Sequence, residues 1–425
     1  FHTLMMVPFF VILTGVGATG SRSINSHAKL SSKALYASIF QVRNFIPSRN
    51  SAACCGTKSA VMPSINKRIR PRSLRLRYAI SWSRHVTRNP LGGHRVFSTT
   101  PSDQTVQFRH PEAIVDPEWL AERIKDGDSS LRIYDCTTFF GPPSPGSHAP
   151  YSIRSALEEH RMGHIPGAEV LDIQEELSEP SSPEHLKFMM PKDLYYLAQQ
   201  FAKRGLGKNT RPVLYSRGTP MWATRVWWML RALGFDHAAV LDGGYNRWVV
   251  EGYPIETDDK TSMGREPYSP AELIDVSGDK ARPGLFVDAA RVLETRRDPG
   301  VCTINALKPR IHTGQDDKYG RPGRIPGSVN VPYASVLTTV EVQGDDSKQT
   351  APSSYSLFVD AETASRAFST VGATKEGENI LYCGGGISAT IDAFLMHQLG
   401  YENVVVYDGS LGEWAKDASL PIETD

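Results

Sequence analysis

The chain has 425 residues, 40% of them apolar and 22% charged, enough for two or three domains with full cores and too well mixed for a disordered or fibrous protein. The net charge of +1 hides an asymmetry: residues 1–102 carry 15 Lys and Arg and no Asp or Glu, leaving 32 basic against 46 acidic side chains in 103–425. An acidic body excludes a general nucleic-acid binder, and five cysteines without a CxxC pair exclude a disulfide scaffold or a zinc ribbon.

Residues 1–102 read as a targeting segment. Arg70, Arg72, Arg75, Arg77, Arg84, Arg88 and Arg95 are spread among Leu74, Tyr78, Trp82 and Val86, the pattern of a mitochondrial presequence. Arg95-Val96-Phe97-Ser98-Thr99-Thr100 has the form of a matrix-processing site, so the mature chain is expected to begin between Phe97 and Asp103. The mitochondrial matrix is the expected compartment, with the cytoplasm as the alternative. Leu4–Ala18 is apolar but short and broken by Pro8, so no stable membrane insertion of the mature form is expected. The sequence opens on Phe1, and Met62 is an alternative initiator that would put the Arg-rich stretch first.

Beyond the leader, short apolar runs alternate with helical patterns. Strands are expected at Leu131–Asp135, Val213–Ser216 and Ala238–Asp242, with helices near Pro117–Lys125, Pro191–Arg204 and Met221–Leu233. A Pro-rich, polar stretch, 259–284, reads as a linker between a body at 103–258 and another at 285–425. The second body repeats the alternation, with strands at Val301–Asn305, Ile380–Cys383 and Val404–Asp408 and helices near Ala361–Val371 and Ser388–Gln398. Such alternation builds a mostly parallel sheet with helices on both faces, an α/β fold whose reactive groups sit at the C-terminal ends of the strands.

The two bodies are copies. Ala239-Val240-Leu241-Asp242-Gly243-Gly244 and Pro254-Ile255-Glu256-Thr257-Asp258 return as Val405-Val406-Tyr407-Asp408-Gly409-Ser410 and Pro421-Ile422-Glu423-Thr424-Asp425. Gly163-His164-Ile165-Pro166-Gly167-Ala168 returns as Gly323-Arg324-Ile325-Pro326-Gly327-Ser328, and Val115-Asp116 before a helix returns as Val287-Asp288. A spacing of about 165 residues means tandem domains, since solenoid units are far shorter.

Cys383 stands where the second copy's central strand meets Gly384-Gly385-Gly386-Ile387-Ser388-Ala389. Glycines let the backbone curl around the sulfur with N–H groups inward, and the helix that follows adds its positive end; both favour a nucleophilic thiolate. The alternative is a buried structural cysteine before a tight turn. Leu214-Tyr215-Ser216-Arg217-Gly218 aligns with Leu381-Tyr382-Cys383-Gly384-Gly385, so the first copy has an unactivated serine in the nucleophile's place. It is expected to be a retired copy that supplies a wall of the active-site cleft. A phosphatase would close a longer loop with an arginine, where Ala389 stands here. Trp227, Trp228, Trp248 and Trp414 are expected in the core and between the domains, and Cys302 as an inert buried thiol, with the role of Cys136 left open.

These motifs, with Arg225-Val226-Trp227-Trp228-Met229-Leu230 and Glu413-Trp414, make residues 112–425 resemble the two-domain rhodanese family of thiosulfate and 3-mercaptopyruvate sulfurtransferases. The resemblance implies two tandem rhodanese-like domains and a double displacement through a Cys383 persulfide, stabilised by the N–H groups of Gly384, Gly385, Gly386, Ile387, Ser388 and Ala389. It implies a small anionic sulfur donor, and cyanide or a thiol such as glutathione or a thioredoxin-like protein as acceptor. No cofactor or metal is implied. Thiosulfate members resemble Cys-Arg-Lys-Gly-Val-Thr and mercaptopyruvate members Cys-Gly-Ser-Gly-Val-Thr; this loop carries no cation and leans to the second, with Gly385 in the serine position. Arg310 and Arg321 fall where the family places substrate-binding arginines. His164 matches a histidine given a proton-relay role in some mercaptopyruvate schemes, although a turn-stabilising role fits it better. A non-catalytic sulfur-relay module acting on a protein partner is the alternative from another class.

Overall fold

The structure is a computed structural model that describes residues 105–147, 149–257, 280–342 and 352–425. The leader and most of the expected linker lie outside the described residues. The first half runs β1 (Ile114–Val115), α1 (Pro117–Asp126), β2 (Leu131–Asp135), β3 (Thr138–Gly141), β4 (Ser152–Ser155), α2 (Leu157–Met162), β5 (Ala168–Val170), α3 (Leu194–Lys203), β6 (Arg211–Tyr215), α4 (Met221–Ala232), β7 (Ala239–Leu241) and α5 (Gly244–Val250). The second runs β8 (Phe286–Val287), α6 (Ala289–Thr295), β9 (Val301–Asn305), α7 (Pro309–His312), β10 (Val329–Asn330), β11 (Leu337–Glu341), β12 (Ser354–Phe358), α8 (Ala361–Thr370), β13 (Glu378–Tyr382), α9 (Ala389–Gln398), β14 (Asn403–Tyr407) and α10 (Ser410–Trp414).

Each half forms a five-stranded parallel sheet, in the orders β1-β7-β6-β2-β5 and β10-β9-β13-β14-β8. Read from opposite edges the two orders are the same, so the repeat in sequence is a repeat in topology. The three strands expected in each half are the inner ones. The outer pairs, β1 with β5 and β8 with β10, span only two or three residues, too few for an apolar period to register. Two antiparallel hairpins, β3–β4 and β11–β12, were also hidden, because long connections replace the short turns that announce a hairpin.

Local chemistry sets the boundaries. Asp116 and Asp288 occupy the same place in the two copies, and each caps its helix by accepting an N–H, from Trp119 at 2.8 Å and Arg291 at 3.0 Å. Asp193 does the same for α3 through Tyr195 at 2.8 Å, which is why that helix starts at Leu194 and not at Pro191. The repeated Pro-Ile-Glu-Thr-Asp segment also acquires a purpose. Glu256 accepts the Gly167 N–H at 3.0 Å and Glu423 the Gly327 N–H at 3.1 Å, so each carboxylate closes the turn of its own half.

Helices α4 and α9 carry apolar side chains almost all round and are buried on nearly every face, the mark of helices enclosed by protein. They pack on each other: Trp227 meets Phe394 edge-on at 4.8 Å, and the Thr224 and Thr390 hydroxyls lie 2.8 Å apart. One continuous core therefore joins the halves. Trp227, Trp228, Trp248 and Trp414 are all buried. No described helix is long and apolar enough to cross a membrane.

Candidate active site

Strand β13 is the middle strand of its sheet, with β9 and β14 on its two sides, and its C-terminal end delivers Cys383 into the protein with 2% of its surface exposed. The loop 384–388 then turns into α9. Gly386 has φ +70°, and a Cβ there would lie 2.6 Å from Asp408 Oδ1, so glycine is required. Ser388 occupies the N-cap without a side-chain cap bond, and the helix begins at Ala389.

Ser410 lies beneath this loop. Its hydroxyl accepts the N–H of Cys383 at 3.0 Å and of Gly386 at 3.1 Å and donates to the Tyr407 carbonyl at 2.7 Å. The Gly386 N–H, expected to face the sulfur, thus belongs to the scaffold, and the cradle is made by fewer donors than loop length suggests. Ser410 is the one described non-glycine residue with positive φ, 52°. A strained serine at a reactive loop marks a place where a hydroxyl outweighs the backbone cost of about 1 kcal/mol.

The first half reaches into this loop. Arg225 of α4 is fully buried; its Nη1 donates to Asp408 Oδ1 at 2.6 Å and to the Gly386 carbonyl at 3.0 Å, and its Nη2 donates to the Phe188 carbonyl at 2.5 Å. Asp408 Oδ2 in turn accepts the Met190 N–H at 2.5 Å. The expected wall is therefore a clamp that spans both halves.

Around the sulfur stand phenols. Burial first, and then the charge of Cys383, push Tyr151, Tyr319 and Tyr333 above the ordinary tyrosine range, so all three are neutral O–H groups at neutral pH. Lys318 lies 5.8 Å from the ring centres of both Tyr151 and Tyr319. On α9, Asp392 is fully buried and neither carboxylate oxygen has a hydrogen-bond partner; burial, then the Cys383 charge, raise it well above the carboxylate range.

The arginines expected from sequence are both engaged with protein groups. Arg310 is 63% exposed and pairs with Asp316 at 3.2 Å. Arg321 donates to the carbonyls of Trp414, Ala415 and Asp417 at 3.0, 3.1 and 2.5 Å, which fastens the turn after α10. His164 is buried in its turn, with Nδ1 2.8 Å from the His160 carbonyl. Cys136 is buried and its thiol is pushed far up by desolvation and then by Asp135; Cys302 is half-buried and raised by desolvation.

At the equivalent end of β6, Ser216 is buried and accepts the Ala223 N–H at 3.3 Å. Arg217 folds back over Tyr245, 3.8 Å from its ring centre, onto Asp135 at 3.5 Å. Among the described residues, no cluster of His, Cys, Asp and Glu is placed to hold a metal ion. The cleft at Gly385, between Asp408 and the 185–189 segment, is closed down to about 10 Å³, room for one water. Two roomier clefts, about 370 and 300 Å³, touch neither Cys383 nor its loop.

Comparison with known proteins bears on the family and the fold. The chain is 28% identical over 325 residues to thiosulfate/3-mercaptopyruvate sulfurtransferase 2 of Arabidopsis thaliana, covering 73% of this chain and 86% of that one. It is 29% identical over 308 residues to the thiosulfate sulfurtransferase of Gallus gallus, covering 71% and 93%. Its fold matches the anaerobic ergothioneine biosynthesis enzyme of Chlorobium limicola, solved with trimethyl histidine, at a TM-score of 0.56 and 20% identity over 75% of this chain and 71% of that one. The family described as Rhodanese-like domain matches residues 116–251 and 310–417, one stretch in each sheet-bearing half, and the chain belongs to that family.

Proposed function

We propose that the protein moves a sulfane sulfur from thiosulfate or 3-mercaptopyruvate to cyanide or a thiol through a persulfide on Cys383. The Cys383 thiolate attacks the donor's transferable sulfur; the bond to that sulfur breaks, and its electron pair leaves with sulfite, or with pyruvate enolate, which takes up a proton. The acceptor then attacks the outer sulfur of the persulfide and returns Cys383 as thiolate. One observation carries the reading: a lone cysteine at the end of the middle strand, in a loop that opens with three glycines and whose backbone is pinned by Ser410 and by Arg225 from the other half. Loop N–H groups not taken by Ser410 are available to the persulfide anion. Arg310, released from Asp316, is a candidate for steering the anionic donor inward.

The test is sulfur transfer to cyanide from each donor, with Cys383→Ser alongside. Turnover that vanishes in the variant supports the persulfide enzyme, and the donor ratio names its type. Folded protein that turns over neither donor would sink it and favour a relay module, recognised by handover of persulfide to a protein acceptor. The acid-free, Arg-rich residues 1–102 support delivery to the mitochondrial matrix. Import into isolated mitochondria that persists without residues 1–102 would refute that destination signal.

A further inference from the structure

The loop 384–386 is all glycine, so it offers an anionic donor no side chain of its own. Those places are not vacant. A Cβ on Gly384 would fall 2.1 Å from the Tyr319 hydroxyl and 2.2 Å from the ring carbon that bears it, and a Cβ on Gly385 would fall 3.3 Å from the Tyr151 hydroxyl. The two phenols come from opposite halves, Tyr319 from the segment before the 323–328 turn and Tyr151 from the connection between β3 and β4.

We propose that Tyr151 and Tyr319 are the residues that recognise the anionic group of the sulfur donor, their hydroxyls standing where loop side chains would otherwise project, with Lys318 over both rings as the counter-charge. The assignment rests on the sulfur-transfer reading and extends it to specificity. Tyr319 fills the space beside position 384, so a side chain there would have to displace its ring. Two neutral O–H donors and one ammonium suit a single carboxylate. A dianion would bring a second charge that no loop cation meets, and partial desolvation makes an unmatched charge costly. The donor class is therefore a small carboxylate that carries its sulfur beside a carbonyl, such as 3-mercaptopyruvate, ahead of a sulfur oxyanion.

The experiment is kcat/KM for 3-mercaptopyruvate and for thiosulfate, with cyanide as acceptor, in the full chain, Tyr151→Phe, Tyr319→Phe and Tyr151→Phe/Gly385→Ser. The parent chain is expected to prefer 3-mercaptopyruvate. Loss of one hydrogen bond to a charged group is expected to lower that donor's kcat/KM about tenfold or more in each phenylalanine variant, with less change for thiosulfate, so that the donor ratio collapses. A serine at 385, relieved of the Tyr151 hydroxyl, returns an O–H to that corner and is expected to restore most of the ratio. Such a gain cannot come from a folding defect, and thermal unfolding of the phenylalanine variants serves as the control. Donor ratios within about twofold of the parent in both phenylalanine variants, while Cys383→Ser still abolishes transfer, overturn the tyrosine assignment and leave sulfur transfer standing. Transfer that survives Cys383→Ser, or is absent from the parent chain, overturns both.

Discussion

The loops that follow β6 and β13 start from the same strand, the same tyrosine and the same sheet position, yet only one carries a cysteine. After β6, Arg217 turns inward to Asp135 and Tyr245, and the residue beneath the loop is Gly244, φ +55°, whose Cβ would lie 2.1 Å from the Ser216 carbonyl oxygen. After β13, three glycines admit the Tyr319 and Tyr151 hydroxyls beside the loop, and Ser410 takes the Gly244 place with nearly the same φ, adding a hydroxyl that binds two loop N–H groups. The difference teaches that a nucleophile is the smaller part of the site. What separates the halves is the support under the loop and the direction of the charges beside it.

Moving the nucleophile is the harshest way to break that comparison. Cys383→Ser combined with Ser216→Cys is expected to lose sulfur transfer on the order of a thousandfold or more and to regain none of it, because position 216 has neither the serine support nor the three-glycine loop. Transfer by the double variant would show that the sulfur alone suffices. Next in size is the clamp. Arg225→Met leaves Asp408 buried without its cation and is expected to cost about 3 kcal/mol of stability, read from the denaturant midpoint, with a parallel fall in turnover. Arg225→Lys keeps the charge but cannot span Asp408, Gly386 and Phe188 together, and should fall between.

Ser410 sharpens the comparison with a smaller effect. Ser410→Gly makes the second half like the first: the relieved backbone offsets the lost hydrogen bonds, so stability should stay within about 1 kcal/mol while turnover falls roughly tenfold. Ser410→Ala keeps the strain and loses the bonds, and should be the less stable of the two. An unchanged rate in both variants would remove Ser410 from the cradle.

A further test, read from pH and not from turnover, concerns the seam between the halves. Asp242 Oδ1 accepts the Phe358 N–H at 3.0 Å, and burial raises its carboxyl from 3.8 to about 6. Because the folded value is the higher one, this group's contribution to stability is complete below about pH 4 and is lost as pH rises towards 6. Asp242→Asn is therefore expected to flatten the unfolding midpoint across that window. A slope identical to the parent's would exclude Asp242 as its source.

Much of the scaffold was legible in the chain. The inner strands announce themselves as apolar runs, and the repeat of Gly-X-Ile-Pro-Gly and Pro-Ile-Glu-Thr-Asp shows two copies before any coordinate is known. The place of Cys383 at the end of a central strand was legible because strand, sulfur and glycines are contiguous. The rest of the site is not contiguous: Arg225 and Asp408 are 183 residues apart and Ser410 is 27 residues from Cys383, so no local pattern joins them. A clue was present in the repeat itself, where Gly244 is answered by a serine in a position that only glycine occupies easily. The partners of Arg310 and Arg321 were equally out of reach of the sequence. A cation near the expected place says nothing of direction, and Arg321 is engaged with three carbonyls of the 414–417 turn.

Duplication ordinarily frees one copy to drift. Arg225 removes that freedom, because the first copy holds the Cys383 loop of the second through a buried ion pair and the Gly386 carbonyl. The two halves are thereby bound to change together, since loss of Arg225 from one leaves Asp408 of the other a buried charge without its cation.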